Sequence, residues 1–284
     1  MALLTNPVDI NRGTTGLTVP PDIAQEIFAN TIHESAVMRL AERVALPGRG
    51  KDIPVITGDP IAAMVNETAE KPVSNSEFAT KLMSAKKFAV IELVSKEFAR
   101  DLPALYDELK RRLPYAIAKA FDTQVFTQAA VTGFDSLVGA QAITATSDLA
   151  ADIRSGMLAV AGDGYRVNGF AVSPEYMTGI VIATDQIGRP LFAPNANDGD
   201  IAGRVYGGNV AETAAAITLF GGDWSKAKYG IVDGIQLAIS EEATINTGSE
   251  LVNLWQRNMI AIRCEAELGF VCADANAFFH INAQ

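Results

Sequence analysis

Two consecutive segments restrict what this chain can fold into. Between Gly50 and Phe98, the strand-like stretches IPVIT (53–57), FATKLM (78–83) and KFAVIELVS (87–95) surround a polar, proline-bearing run from Asn66 to Ser76. The pattern predicts a long β-hairpin with a hydrophilic tip, and an isolated two-stranded hairpin is only marginally stable in water. Something outside the segment must cover it. Directly afterwards, Leu105, Leu109, Leu113, Ile117, Phe121 and Val125 recur every fourth residue, with Asp101 placed to cap a helix that reaches about Val131. A four-residue step drifts about 40° per repeat, so the apolar stripe winds round the helix and demands several packing partners. At ~1.5 Å per residue such a helix spans roughly 45 Å, which suits a flat plate with a spine, and Pro114 predicts a kink in it.

The remaining sequence supplies the material for that plate. The chain has 284 residues, of which 49% are hydrophobic and only 20% charged, and its mean hydropathy is +0.16. One or two cores are expected, with more apolar surface than a solvated monomer comfortably hides. The net charge of −10 is unevenly spread: residues 1–130 carry 15 basic and 16 acidic groups, whereas the remainder carries 8 and 17. The two parts are expected to face different surroundings. A broad phosphate-binding face is not indicated, since the cluster Lys110, Arg111, Arg112 and Lys119 reads more simply as a solvated helix face. The N-terminus lacks the layout of a signal peptide, and no apolar run approaches a membrane span. Cys264 and Cys272 show no disulfide or zinc-type spacing, so reduced thiols and an intracellular, soluble product are expected.

Residues 1–20 read as an extended arm closed by Val19-Pro20-Pro21, with no apolar periodicity to fold it alone. An amphipathic helix is predicted over about 22–44, carrying Ile23, Ile27, Phe28, Ile32, Val37 and Leu40, with Pro47-Gly48 ending it. From 132 to 240 a compact α/β region is expected: a helix near Asp148–Ala161, the turn Gly162-Asp163-Gly164, a strand Phe170–Val172 and a helix starting at Pro174. From Ile260 onward Ile262, Cys264, Ala266, Leu268 and Phe270 alternate with Arg263, Glu265 and Glu267, a strand with one core face and one polar or interfacial face.

Catalytic chemistry finds little to work with. Only His33 and His280 are available, and neither sits beside a nucleophile motif. His280, in Ala-Phe-Phe-His-Ile, reads as a hydrogen-bonded structural histidine near a strand end. The glycines at 162, 164, 207, 208, 221 and 222 form no phosphate-binding sequence. Asn195–Asp200 lacks the ligand spacing of a calcium loop and reads as Asx turns. No cofactor or metal is expected, and the fold class is α+β.

Several motifs, in order, resemble one family. Leu254–Gly269 is similar to the last strands of Hong Kong 97-type phage major capsid proteins, Asp185-Gln186-Ile187-Gly188-Arg189 to the family's D-x-x-G-R turn, and Gly222-Asp223-Trp224-Ser225 with Ile231–Ser240 to its "GDfs" stretch. The resemblance covers nearly the whole chain. It implies an N-terminal arm (1–21), an N-terminal helix of a peripheral domain (22–47), an extended loop (48–98), a spine helix (99–131), an axial domain (132–240) and C-terminal peripheral strands (241–284). The chain starts at the arm, which resembles members with a separate scaffolding protein or none.

What the resemblance implies about function is structural: self-assembly into pentamers and hexamers of an icosahedral head built in the host bacterial cytoplasm. The expected partners are further copies, a portal protein, scaffolding and decoration proteins, and packaged double-stranded DNA held without sequence-specific binding; no membrane is involved. An encapsulin-like nanocompartment shell is the alternative, and a small α/β enzyme a more remote one. Some family members join an extended-loop lysine to a neighbour's asparagine with help from a glutamate. The matching residues here are Lys71, Asn258 and Glu265. Asn258 and Glu265 lie seven apart, on opposite faces of an ideal strand, so the resemblance implies groups drawn from different copies.

Overall fold

The computed structural model describes residues 21–284 except 59–61, 63, 66–70, 72, 74–76, 98–101, 185–187, 195–201, 216, 233, 249 and 283–284. The arm, Asp101, the Asn195–Asp200 run and most of the hairpin tip therefore lie outside the described residues.

Where a single N-terminal helix was expected, the chain forms α1 (Pro21–Glu34), α2 (Ala36–Leu40) and then a strand, β1 (Glu42–Ala45). Ser35 makes the break. Its backbone is extended (φ −93°, ψ 122°) and its hydroxyl accepts from the Met38 N–H, capping α2, while its own proton goes to the Asp122 carboxylate at 2.6 Å. The apolar period survives the interruption, because Ile27 and Val37 are fully buried and Ile32 and Leu40 pack against the same core.

The next strands are β2 (Lys51–Gly58), β3 (Glu77–Met83) and β4 (Lys86–Ser95). β2 and β3 pair only with each other, as an antiparallel two-stranded sheet. β4 leaves the hairpin for the body of the molecule. The spine is α3 (Leu102–Thr127), whose helical span continues on both sides of Pro114 and covers about 39 Å at 1.5 Å per residue. It ends four residues before the expected Val131, where Val131 and Phe134 exchange backbone hydrogen bonds around Gly133 at φ +76°. Leu109, Leu113, Ile117, Phe121 and Val125 are all buried, and Phe121 meets Phe88 edge-on with ring centroids 5.7 Å apart.

The following region contains β5 (Gln141–Thr144), α4 (Leu149–Gly162), β6 (Gly169–Val172), α5 (Pro174–Ile182), β7 (Phe192–Pro194), β8 (Gly203–Val205), β9 (Gly208–Glu212) and β10 (Leu219–Gly222). The helices expected near Asp148 and from Pro174 form as α4 and α5, and Asp148 and Ser173 cap them. The chain then runs through β11 (Ala227–Ile231), β12 (Gln236–Ser240), β13 (Thr244–Asn246), β14 (Leu251–Asn253), β15 (Met259–Cys272) and β16 (Phe278–Asn282). β15 carries the expected alternation: Ile260, Ile262, Cys264, Ala266, Leu268 and Phe270 are buried, whereas Arg263 is exposed and Glu265 and Glu267 are partly so.

Two large sheets organise these elements. One runs β5-β16-β10-β6-β9-β8-β7; the other runs β1-β11-β15-β12 and adds β4 on the opposite edge of β15. They do not follow a boundary at 240/241: β11 and β12 sit beside β15, while β16 lies between β5 and β10 in the seven-stranded sheet. Besides the passage from β4 to β5 through α3, the chain moves between these sheets at two short crossings, 223–226 and 273–277. The crossings lie side by side, joined by Asp223 N–H to Ala277 O (2.9 Å) and Ala273 N–H to Lys226 O (2.8 Å). Trp224 wedges there, 2% exposed, against Phe278 at 5.4 Å.

Candidate intersubunit surfaces

The β2–β3 hairpin has two unlike faces. At its base Ile53, Val55 and Met83 are buried, and Ile53 and Met83 pack with Leu46 and Val271. Gly230 and Gly269 are cross-strand partners in β11 and β15, and together they form the socket for this plug. A Cβ on Gly230 would fall 2.8 Å from Leu46 Cβ, and one on Gly269 would fall 2.7 Å from Leu46 Cδ2 and 3.1 Å from Met83 Cγ. The other face carries Phe78 and Leu82, set opposite Ile56 and Asp52 by the register and 70% and 50% exposed. FATKLM carries no clean alternation that would have marked them. An apolar strand face beyond the body, on a sheet of two strands, has no partner within the described residues.

A second exposed apolar group crowns the β13–β14 pair, where Leu251 is 69% and Trp255 71% exposed. Arg257 grips Glu250 through both oxygens at 2.8 and 3.1 Å, which lowers the Glu250 carboxyl below its usual value, chiefly through the hydrogen bond and then the charge of Arg257. Trp255 stands in a turn, where no periodicity marks it.

The three residues of the implied cross-link occupy separate places. Lys71 is exposed in the segment between β2 and β3. Asn258 is exposed in the turn before β15, with φ +51°, and its carbonyl accepts from the Lys96 N–H at 2.9 Å. Because Asn258 stands off the ladder in a left-handed conformation, face-counting along an ideal strand does not apply to it. Glu265 lies within β15, its carboxylate between Arg263 Nε at 3.2 Å and Lys87 Nζ at 3.5 Å. Among the described residues no hydrogen bond or ion pair joins these three to one another.

Other candidates resolve as structure. His280 is in β16, stacked on Phe220 at 5.2 Å and 20°; contrary to expectation, its Nδ1 has no hydrogen-bond partner. Cys264 and Cys272 are free and buried, their thiols pushed up to about 12 chiefly by burial. Among the described residues no group of three or more His, Cys, Asp or Glu is arranged for a metal ion, and no helix is long and apolar enough to cross a membrane. Of the D-x-x-G-R turn, Asp185–Ile187 lie outside the described residues and Gly188 has φ +81°.

The model of the phage capsid family matches residues 15–283. The chain belongs to the phage capsid family. Among its relatives, the probable major capsid protein of Mycobacterium phage D29 is 29% identical, over 91% of this chain and 87% of its own length. The major capsid protein of Enterobacteria phage HK97 is 26% identical over 73% of this chain and 54% of its own length. A solved structure from Microbacterium phage Oxtober96 superposes with a TM-score of 0.67 at 21% identity, covering 88% of this chain and 91% of the other. The α+β architecture is thus the Hong Kong 97-type capsid fold, and these matches do not favour the nanocompartment alternative.

Proposed function

We propose that this chain is the shell subunit of a tailed-phage head, forming pentamers and hexamers that close around double-stranded DNA. The observation that carries the reading is the β2–β3 hairpin, a two-stranded sheet plugged into the body at one end and apolar on its free face. Further copies are the natural cover, since many modest contacts per subunit sum to a stable closed shell. A net charge of −10 disfavours tight phosphate binding, so DNA is held by enclosure and not by adhesion. A portal protein at one vertex, scaffolding and decoration proteins, and assembly in the bacterial cytoplasm complete the proposal.

The exposure of Lys71 and Asn258 also supports an isopeptide bond between copies. The Lys71 amine, in its neutral form, would attack the Asn258 amide carbon; Glu265 would take the amine's proton and pass it to the amide nitrogen, whose C–N bond breaks as it leaves as ammonia. Glu265 must first give up Arg263 or Lys87. Electron microscopy of the expressed protein tests the main reading: closed shells of uniform diameter support it, and a monomer persisting at high concentration overturns it. Denaturing electrophoresis of the same particles tests the bond, which requires multiples of the 30.2 kDa chain that vanish in Asn258→Ala; a lone monomer band rejects it.

A further inference from the structure

Just above the plug, Lys81 ties the hairpin to two other parts of the chain. Its Nζ donates to Cys272 O at 2.7 Å and to Asp135 Oδ2 at 3.3 Å. Cys272 ends β15, and Asp135 lies in the turn after α3. The same Asp135 oxygen accepts the Cys272 N–H at 3.1 Å, and the Asp135 N–H donates to Phe270 O at 3.0 Å, so the acceptor is held by the sheet edge. Two residues before Asp135, Gly133 O accepts the Ser84 N–H at 2.7 Å. Gly133 cannot become larger there, because a Cβ would fall 2.1 Å from Ser84 Oγ.

These contacts do not bury the hairpin; Lys81 is 43% and Asp135 31% exposed in their side chains. A half-exposed pair contributes little to folding, but this one sits where a small change of angle is magnified. The eight residues of β2 extend about 26 Å at ~3.3 Å each. A tilt of roughly 10° at the base displaces the far end by about 5 Å, more than the ~3 Å span of a hydrogen bond. We propose that Lys81, held by Asp135 and Cys272 O, is a positioning residue that fixes the direction in which the hairpin leaves the body, and thereby the curvature at which copies join. The inference rests on the shell-subunit reading.

Full-length wild type, Lys81→Met and Lys81→Arg should be compared for melting temperature and for particle diameter by electron microscopy. Wild type and Lys81→Arg are expected to give uniform shells. Lys81→Met is expected to melt as wild type does but to yield open sheets or shells of mixed diameter, with the uniform fraction reduced at least about fivefold. Unchanged shells from Lys81→Met overturn this inference alone, whereas a wild type that forms no shells overturns the shell-subunit reading and this inference with it. Should Lys81→Met not fold, Lys81→Gln carries the comparison, and loss of folding in both overturns a positioning role.

Discussion

Asp122 shows how much one side chain organises. It is fully buried and accepts from Ser35 Oγ (2.6 Å), Ala36 N–H (2.9 Å) and Thr213 Oγ1 (2.5 Å), tying α2, α3 and the segment after β9 together. Ser35 and Thr213 already accept from Met38 N–H and Ala215 N–H, so both hydroxyl protons are directed at the carboxylate. Burial nevertheless raises its pKa above 3.8, outweighing the lowering by Ser35, Thr213 and the backbone. A raised native pKa means the folded state binds this proton more tightly than the unfolded chain, so the group's contribution to stability grows as pH falls through the native pKa towards 3.8. Asp122→Asn places an amide N–H among donors and is expected to cost about 1–3 kcal/mol in denaturant unfolding of dissociated subunits at pH 7. The wild type's advantage over this variant should widen as the pH is lowered, and a narrowing advantage would show that the hydrogen bonds outweigh desolvation. In the sequence Asp122 is an unremarked polar position in a helix, because its partners lie 87 and 91 residues away.

At the scale of elements, what was legible is what depends on local pattern. The winding stripe of α3, the starts of α4 and α5 and the alternation of β15 all follow from local pattern within one segment. Pairing partners do not. KFAVIELVS has the composition of a hairpin arm, yet β4 pairs with β15 across ten registered positions from Ser95↔Met259 to Lys86↔Leu268. The helix break at Ser35 and the seating of β16 between β5 and β10 likewise depend on residues far along the chain. The Gly230–Gly269 socket escaped the sequence for the same reason, since two glycines 39 residues apart become meaningful only once they are cross-strand neighbours. Gly269→Ala forces Leu46 or Met83 to move and is expected to destabilise the subunit by about 1–3 kcal/mol. Thermal unfolding checks this, and a variant as stable as wild type would show that the plug is loose.

For the whole molecule, the apolar surfaces that the fold leaves exposed were not legible in the sequence. Phe78, Leu82 and Trp255 owe their significance to what the fold leaves uncovered. Phe78→Ser removes an apolar group that is 70% exposed, so the isolated subunit should keep its stability to within about 0.5 kcal/mol. Its assembly, measured by sedimentation, should be weakened at least about tenfold in critical concentration; unchanged assembly would place the interface elsewhere. Burial at the opposite extreme governs a different event. Phe278, Phe279 and Ile281 of β16 are at most 1% exposed, and at about 1.5–3 kcal/mol each their loss would remove about 5–9 kcal/mol, comparable to the whole stability of an ordinary domain. The strand that closes the seven-stranded sheet is synthesised after all of its neighbours. A chain that stops before Phe278 lacks the strand between β5 and β10 and is expected to stay unfolded, so folding of this sheet waits until synthesis has passed Ile281.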